Sequence, residues 1–199
     1  MNEKDRQTRH DAISRAAYDL LAEHGYAGAS MMRIATAAKA SNETLYRWYG
    51  SKAGLFRTMV EDNAAQTRSM LLRALEDQTD PNETLERVAS VFLGMLLGDR
   101  AILMNRAAAA DQTGELGAAI SAGGRAQVMP LLIRLMDRIC NASDIPPDEA
   151  ASLFVSLLVG DRQVKRIIHT SPAPSKAEIE STCARALPIF RQWISGTGA

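Results

Sequence analysis

A chain of 199 residues, 46% hydrophobic and 23% charged, has the composition of a globular protein with a core large enough for one big domain or two small ones. Lys plus Arg and Asp plus Glu balance at 23 each, so neither a uniformly basic nor a uniformly acidic partner is indicated. Within residues 1–75, however, eleven basic residues face eight acidic ones, which puts the positive charge at the N-terminal end. No stretch approaches the roughly 20 uninterrupted apolar residues of a membrane span. The opening MNEKDRQTRH lacks the apolar segment of a secretory signal, so a cytoplasmic protein with no membrane partner is expected. Cys140 and Cys183 are isolated, with no CxxC spacing, and read as small core residues rather than metal ligands or a disulfide pair.

In chain order the punctuation is helical. Ile13, Ala16, Ala17, Leu20 and Leu21 recur at i, i+3, i+4 across Asp11 to Glu23, and Gly25 suits a left-handed cap. Ser30 caps a short second helix with Met31, Ile34, Ala35 and Ala38. Ser41 caps a third helix through Tyr49, and Ser51 a fourth from Lys52 to about Leu75. Short helix, tight turn, short helix is a helix-turn-helix, placed at about 30–49. Asp80-Pro81-Asn82-Glu83 opens a helix carrying Leu85, Val88, Phe92 and Met95, which Gly98-Asp99 interrupts. The glycine-rich run from Gly114 to Gly124 is expected to be broken. Arg125 to Cys140 follows as a helix that Pro130 starts or kinks. Pro146-Pro147 starts a helix reaching His169, and the Ser175/Glu178 capping box starts a last one that contains Pro188 and ends near Ile194. No strand alternation and no repeat is found: the expected class is all-α.

The stretch SNETLYRWYGSK concentrates aromatics in a chain that has only 5% of them. Helical spacing puts Leu45 and Tyr49 on one inward face with Ile34, Ala35 and Phe56, the expected helix-turn-helix core. Asn42, Glu43, Thr44, Tyr46 and Arg47 then face outward, and Trp48 lies at the edge, where its indole donor can reach a phosphate. Lys52 falls in the first turn of the next helix, where an ammonium and free backbone N–H groups can hold a phosphate together. With Arg33 and Ser41 these complete the expected DNA surface: Arg33, Ser41, Asn42, Thr44, Tyr46, Arg47, Trp48 and Lys52. A surface loop with incidental aromatics would explain neither the two caps nor the lysine.

The span from Ile13 to Phe56 resembles the DNA-binding domain of the TetR/AcrR family of bacterial transcriptional regulators. The resemblance rests on Gly25-Tyr26, Ile34-Ala35, Thr44-Leu45-Tyr46, Ser51-Lys52 and Leu55-Phe56. By position it implies DNA contacts at Thr44, Tyr46 and Lys52 and a core role for Tyr49. Two departures stand out. Lys39 replaces the turn glycine common in the family, which requires a lysine near the left-handed region. Asn42-Glu43 replaces small or basic residues, and Glu43 reads as a solvated acid at the helix start. The resemblance implies a head at 1–56 and, at 57–199, a helical body that dimerises and binds an effector.

For the body, the resemblance suggests a homodimer built on the last two long helices, through Leu153, Leu157, Val164 and Ile168 and through Leu187, Phe190 and Ile194. Phe92, Met95, Leu96, Met104, Met129, Leu132 and Met136 are candidate linings of a pocket for a small apolar effector, since methionine adapts to varied ligands. The expected protein is a ligand-responsive repressor of double-stranded operator DNA with no cofactor. A constitutive DNA binder and a helical protein-interaction module are the competing readings. No nucleophile-elbow, phosphate-loop or HExxH pattern supports an enzyme.

Overall fold

The computed structural model describes residues 3–77, 79–141 and 144–196, and within them every regular element is a helix. In order these are α1 (Glu3–Gly28), α2 (Met31–Ala37), α3 (Asn42–Tyr49), α4 (Lys52–Glu76), α5 (Pro81–Leu97), α6 (Asp99–Ala109) and α7 (Glu115–Ile120). A π-helical turn at Ser121–Arg125 leads into α8 (Ala126–Ile139), followed by α9 (Pro147–Val159), α10 (Arg162–Ile167) and α11 (Lys176–Gly196).

The chain forms two compact units: Met1–Asp62 with Arg100–Gly124, and Asn63–Asp99 with Arg125–Ala199. The first therefore runs past residue 56 and takes back α6 and α7. The cause is packing: Met59, Met104 and Leu116, each at most 2% exposed, join Ile13, Ile34, Leu45 and Phe56 in one core. The second unit has its own core, in which Leu93, Leu135, Phe154 and Phe190 are essentially inaccessible. Cys140 and Cys183 lie buried in that core, with no disulfide between them.

Local signals set most helix ends. Gly25 breaks α1 with φ 67°, and Tyr26 beyond it turns into the first core. Ser30 and Ser41 accept from the N–H groups of Arg33 and Thr44, and Asp80 from those of Asn82 and Glu83. Lys39, between α2 and α3, takes φ 52°, the left-handed turn that its place in the sequence requires. Replacing it with glycine removes the Cβ strain, so Lys39→Gly is expected to stabilise the first unit by up to about 1 kcal/mol in denaturant titrations.

Three expectations fail for identifiable reasons. Residues 115–139 are helical throughout rather than broken at the glycines. A Cβ on Gly123 would lie 2.5 Å from the Arg57 carbonyl oxygen, so that glycine permits close packing on α4. Gly123→Ala should destabilise by roughly 1–3 kcal/mol, whereas Gly117→Ala, with nothing within 4 Å, should not. The helix expected to reach His169 stops at Gly160 (φ 50°) and restarts as α10. Finally, α1 extends back to Glu3, beyond the apolar period of Asp11 to Glu23, which its polar first turns do not continue. Residues 115–139 are also long and apolar enough to cross a membrane by length and composition. Leu116 is nevertheless buried in the first core, and Val128, Leu132, Leu135 and Met136 in the second.

Candidate nucleic-acid interface

α2 and α3 form the helix-turn-helix. The side chain of Ser41 fixes the start of α3, and Leu45, fully buried, anchors its inner face beside Ile34 and Ala35. The outer face then presents Asn42, Glu43, Tyr46 and Arg47, all exposed, with Tyr46 at 50%. An amide, a phenol and a guanidinium on one capped helix supply the donors and acceptors that base edges and phosphates need. Trp48 is half-buried at the edge, packed edge-on to Tyr49 with ring centroids 6.2 Å apart, and the Arg6 guanidinium lies 5.7 Å from its ring centroid.

Several expected contacts sit differently. Thr44 does not face outward: it is buried, and its hydroxyl lies 2.8 Å from that of Ser41, so both oxygens serve the start of the helix. Arg33 is exposed, yet its Nη1 donates to the Gly28 carbonyl at 3.0 Å. Lys52 directs one N–H to the Tyr26 carbonyl at 2.9 Å, with its Nζ 3.8 Å from the Tyr26 ring centroid. An ammonium has three donors, so this bond positions the charge at the start of α4 without using all of it. Tyr26 is itself fixed through its hydroxyl, which donates to Glu115 at 2.8 Å. Tyr49 is only half-buried rather than a fully enclosed core residue, because its hydroxyl reaches His10.

That contact belongs to a network that periodicity does not reveal. His10 Nδ1 lies 2.9 Å from the Tyr49 hydroxyl, and Nε2 lies 2.7 Å from Asp62 Oδ2. It ties α1 and α4 to the end of the recognition helix. The hydrogen bond to Asp62 raises the His10 pKa above 6.5, against the opposing effect of burial. Burial and the Asp62 charge push the Tyr49 phenol up to about 12, so it stays protonated. A raised histidine pKa stabilises the fold fully below the unfolded value, near 6.5, and that contribution is lost as pH rises through the folded value. The first unit should therefore lose stability from about pH 6.5 upward. Equilibrium unfolding across this range should show the slope in the native chain and a flatter profile in His10→Gln.

Sequence reasoning also missed Gly54. A Cβ there would fall 2.0 Å from the Tyr49 carbonyl oxygen, so the glycine lets the first turn of α4 close against the end of α3. The available signal was a glycine inside the first turn of a long helix, where propensity disfavours it. Met32, 67% exposed on α2, is an unpredicted apolar residue on the surface of this unit.

The expected effector pocket is not assembled from the residues that the sequence suggests. Phe92, Leu132 and Met136 are buried in the core of the second unit, while Met104 belongs to the core of the first. Met95, Leu96 and Met129 are partly buried. Of these, Met95 borders a cleft of about 310 Å³ between α4 and α5, whose other walls include Asn63, Gln66 and Thr67. The expected dimer face is likewise divided. Leu187 and Phe190 are consumed by their own core, and Leu153, Leu157 and Ile194 pack partly against it. Val164 and Ile168 lie beyond the Gly160 break and are 57% and 59% exposed; Ile189 on α11, 55% exposed, was not anticipated.

Comparison with known proteins agrees with this geometry. Residues 13–59 match the pattern of "Bacterial regulatory proteins, tetR family". The HTH-type transcriptional regulator YdeS of Bacillus subtilis is 46% identical over 46 residues, 23% of each protein. The HTH-type transcriptional repressor SCO4008 of Streptomyces coelicolor is 34% identical over 83 residues, 42% of this chain and 40% of that protein. The matches thus span less than half the length of these relatives. The fold extends further: a TetR-family regulator from Mesorhizobium loti superposes with TM-score 0.71 at 24% identity, covering 96% of this chain and 97% of the other. The regulator FadR of Bacillus subtilis, in complex with stearoyl-CoA, gives 0.69 at 15% identity, with 90% and 96% covered. By sequence, residues 13–59 carry the DNA-binding domain pattern of the TetR family, and over nearly its whole length the chain shares the fold of these transcriptional regulators.

Proposed function

We propose that the protein is a repressor that binds a palindromic operator as a homodimer, in the cytoplasm, and releases it when a small apolar molecule binds the second unit. The observation that carries the DNA-binding part is the capped recognition helix with Asn42, Tyr46 and Arg47 exposed on one face. The repressor named among the relatives supports the direction of control, because a dimer on an operator obstructs polymerase without further contacts. The acyl-CoA complex of a protein of the same fold supports an effector, and the cleft beside Met95 is a place for its apolar part. Val164, Ile168 and Ile189 supply exposed apolar surface for a partner copy.

Selection from a randomised duplex library tests this reading. Repeated rounds should enrich a palindrome whose half-sites lie about 34–36 Å apart or a multiple of that. Light scattering should report twice the chain mass. Recovery of random sequence only, or a monomer that still enriches a single half-site, would rule out the dimeric operator.

A further inference from the structure

We propose that a second cleft, walled by α5, α10, the turn at 171–174 and α11, binds a small amphipathic monocarboxylate. It encloses about 450 Å³, within the range of small-molecule sites. Three guanidinium groups border it: those of Arg162, Arg166 and Arg185. Arg166 is already committed. Its Nε donates to the Leu97 carbonyl at 3.1 Å and its Nη2 to Asp99 at 2.6 Å, so its charge is balanced and its stem serves as wall. Arg162 anchors only Nη1, at 3.3 Å from the Leu158 carbonyl oxygen and 3.5 Å from that of Val159. Arg185 donates Nη1 to the Ser181 hydroxyl at 3.1 Å. Neither Arg162 nor Arg185 has a carboxylate partner in an ion pair among the described residues.

The remaining ionised group is Glu178, whose carboxylate accepts from the backbone N–H and the hydroxyl of Ser175 at 2.7 and 2.8 Å in the capping box. Within the lining, two guanidiniums that form no ion pair against one carboxylate leave a single positive charge, which a monoanion neutralises. A doubly charged phosphate would face Glu178. The planar guanidinium fork fits a carboxylate in two parallel bonds. Ala177 and Ile179 give the cleft an apolar wall, and Pro172 and Pro174 hold its outer wall in a restricted conformation. The ligand therefore needs an apolar body behind its charged end.

This cleft shares no lining residue with the one beside Met95, and binding to it needs no DNA, so its test stands apart from the repressor reading. Isothermal titration of the full chain with 4-phenylbutyrate, with the uncharged 4-phenylbutanol and with inorganic phosphate measures it directly. The carboxylate should bind at least roughly tenfold more tightly than the alcohol, and phosphate more weakly than the carboxylate, because a charge-assisted pair is lost or mismatched. Arg185→Gln, at an exposed position, should keep its melting temperature and weaken phenylbutyrate by roughly tenfold. Arg162→Gln should weaken it likewise, and Met95→Ala should leave the affinity unchanged. Equal binding of the alcohol, tighter binding of phosphate, full affinity in Arg185→Gln, loss in Met95→Ala, or no binding at all would each overturn the assignment.

Discussion

Phe56→Ala should unfold the first unit at temperatures where the native chain is folded, and DNA binding should vanish with it. Phe56 is fully buried and meets Tyr26 edge-on with ring centroids 5.3 Å apart. Truncating a buried phenylalanine costs about 3–5 kcal/mol through lost transfer energy and the cavity left behind. Single domains have only about 5–15 kcal/mol in total, and the first unit is small. Phe56→Leu retains most of the volume and should cost less than about 1.5 kcal/mol. Denaturant titrations followed by circular dichroism distinguish the two. If Phe56→Ala shifted the midpoint no more than Phe56→Leu, the close packing of this core would be wrong.

Gly54→Ala should damage DNA binding by a different route. The added Cβ would meet the Tyr49 carbonyl oxygen at 2.0 Å, and a backbone oxygen at the end of a helix cannot rotate away as a side chain can. Either the first turn of α4 shifts or the last turn of α3 does. Both movements displace the face that carries Tyr46 and Arg47. The strain should cost roughly 1–3 kcal/mol or more of stability. At a temperature where the variant remains folded, operator affinity should still fall by at least roughly tenfold, because a displaced recognition helix loses contacts worth more than about 1.4 kcal/mol. Gly117→Ala, in open space in the same unit, is the control that should change neither.

The two results bear on how far the sequence can be read. Caps are local, so Ser30, Ser41, Asp80 and the Ser175/Glu178 box announce their helices, whereas the left-handed turn at Lys39 was implied only by the resemblance. The exposed face of α3 was legible at Asn42, Tyr46 and Arg47 because helical period alone separates them from Leu45. Thr44 was misplaced because period places a side chain only within tens of degrees, and a small hydroxyl can turn back to Ser41. Nothing local marks α6 and α7 as partners of the first unit, since Met104 and Leu116 reach that core through tertiary packing. His10, Tyr49 and Asp62 are likewise joined across 39 and 52 positions of sequence. In the body, a wide apolar face reads the same whether it covers its own core or a partner. Leu187 and Phe190 prove to be of the first kind, and Val164 and Ile168 remain outside. Methionines mislead similarly: Met136 fills core, whereas Met95 borders a cleft.

The central claim is that the exposed face of α3 reads DNA, and an electrophoretic titration with the DNA upstream of the chain's own gene tests it most directly. In excess nonspecific competitor, the native chain should shift this duplex, and Tyr46→Ala, with unchanged helical content, should bind it at least roughly tenfold more weakly because a base or phosphate contact is lost. A folded Tyr46→Ala and Arg47→Ala pair that both shift the same DNA at native affinity would contradict the account.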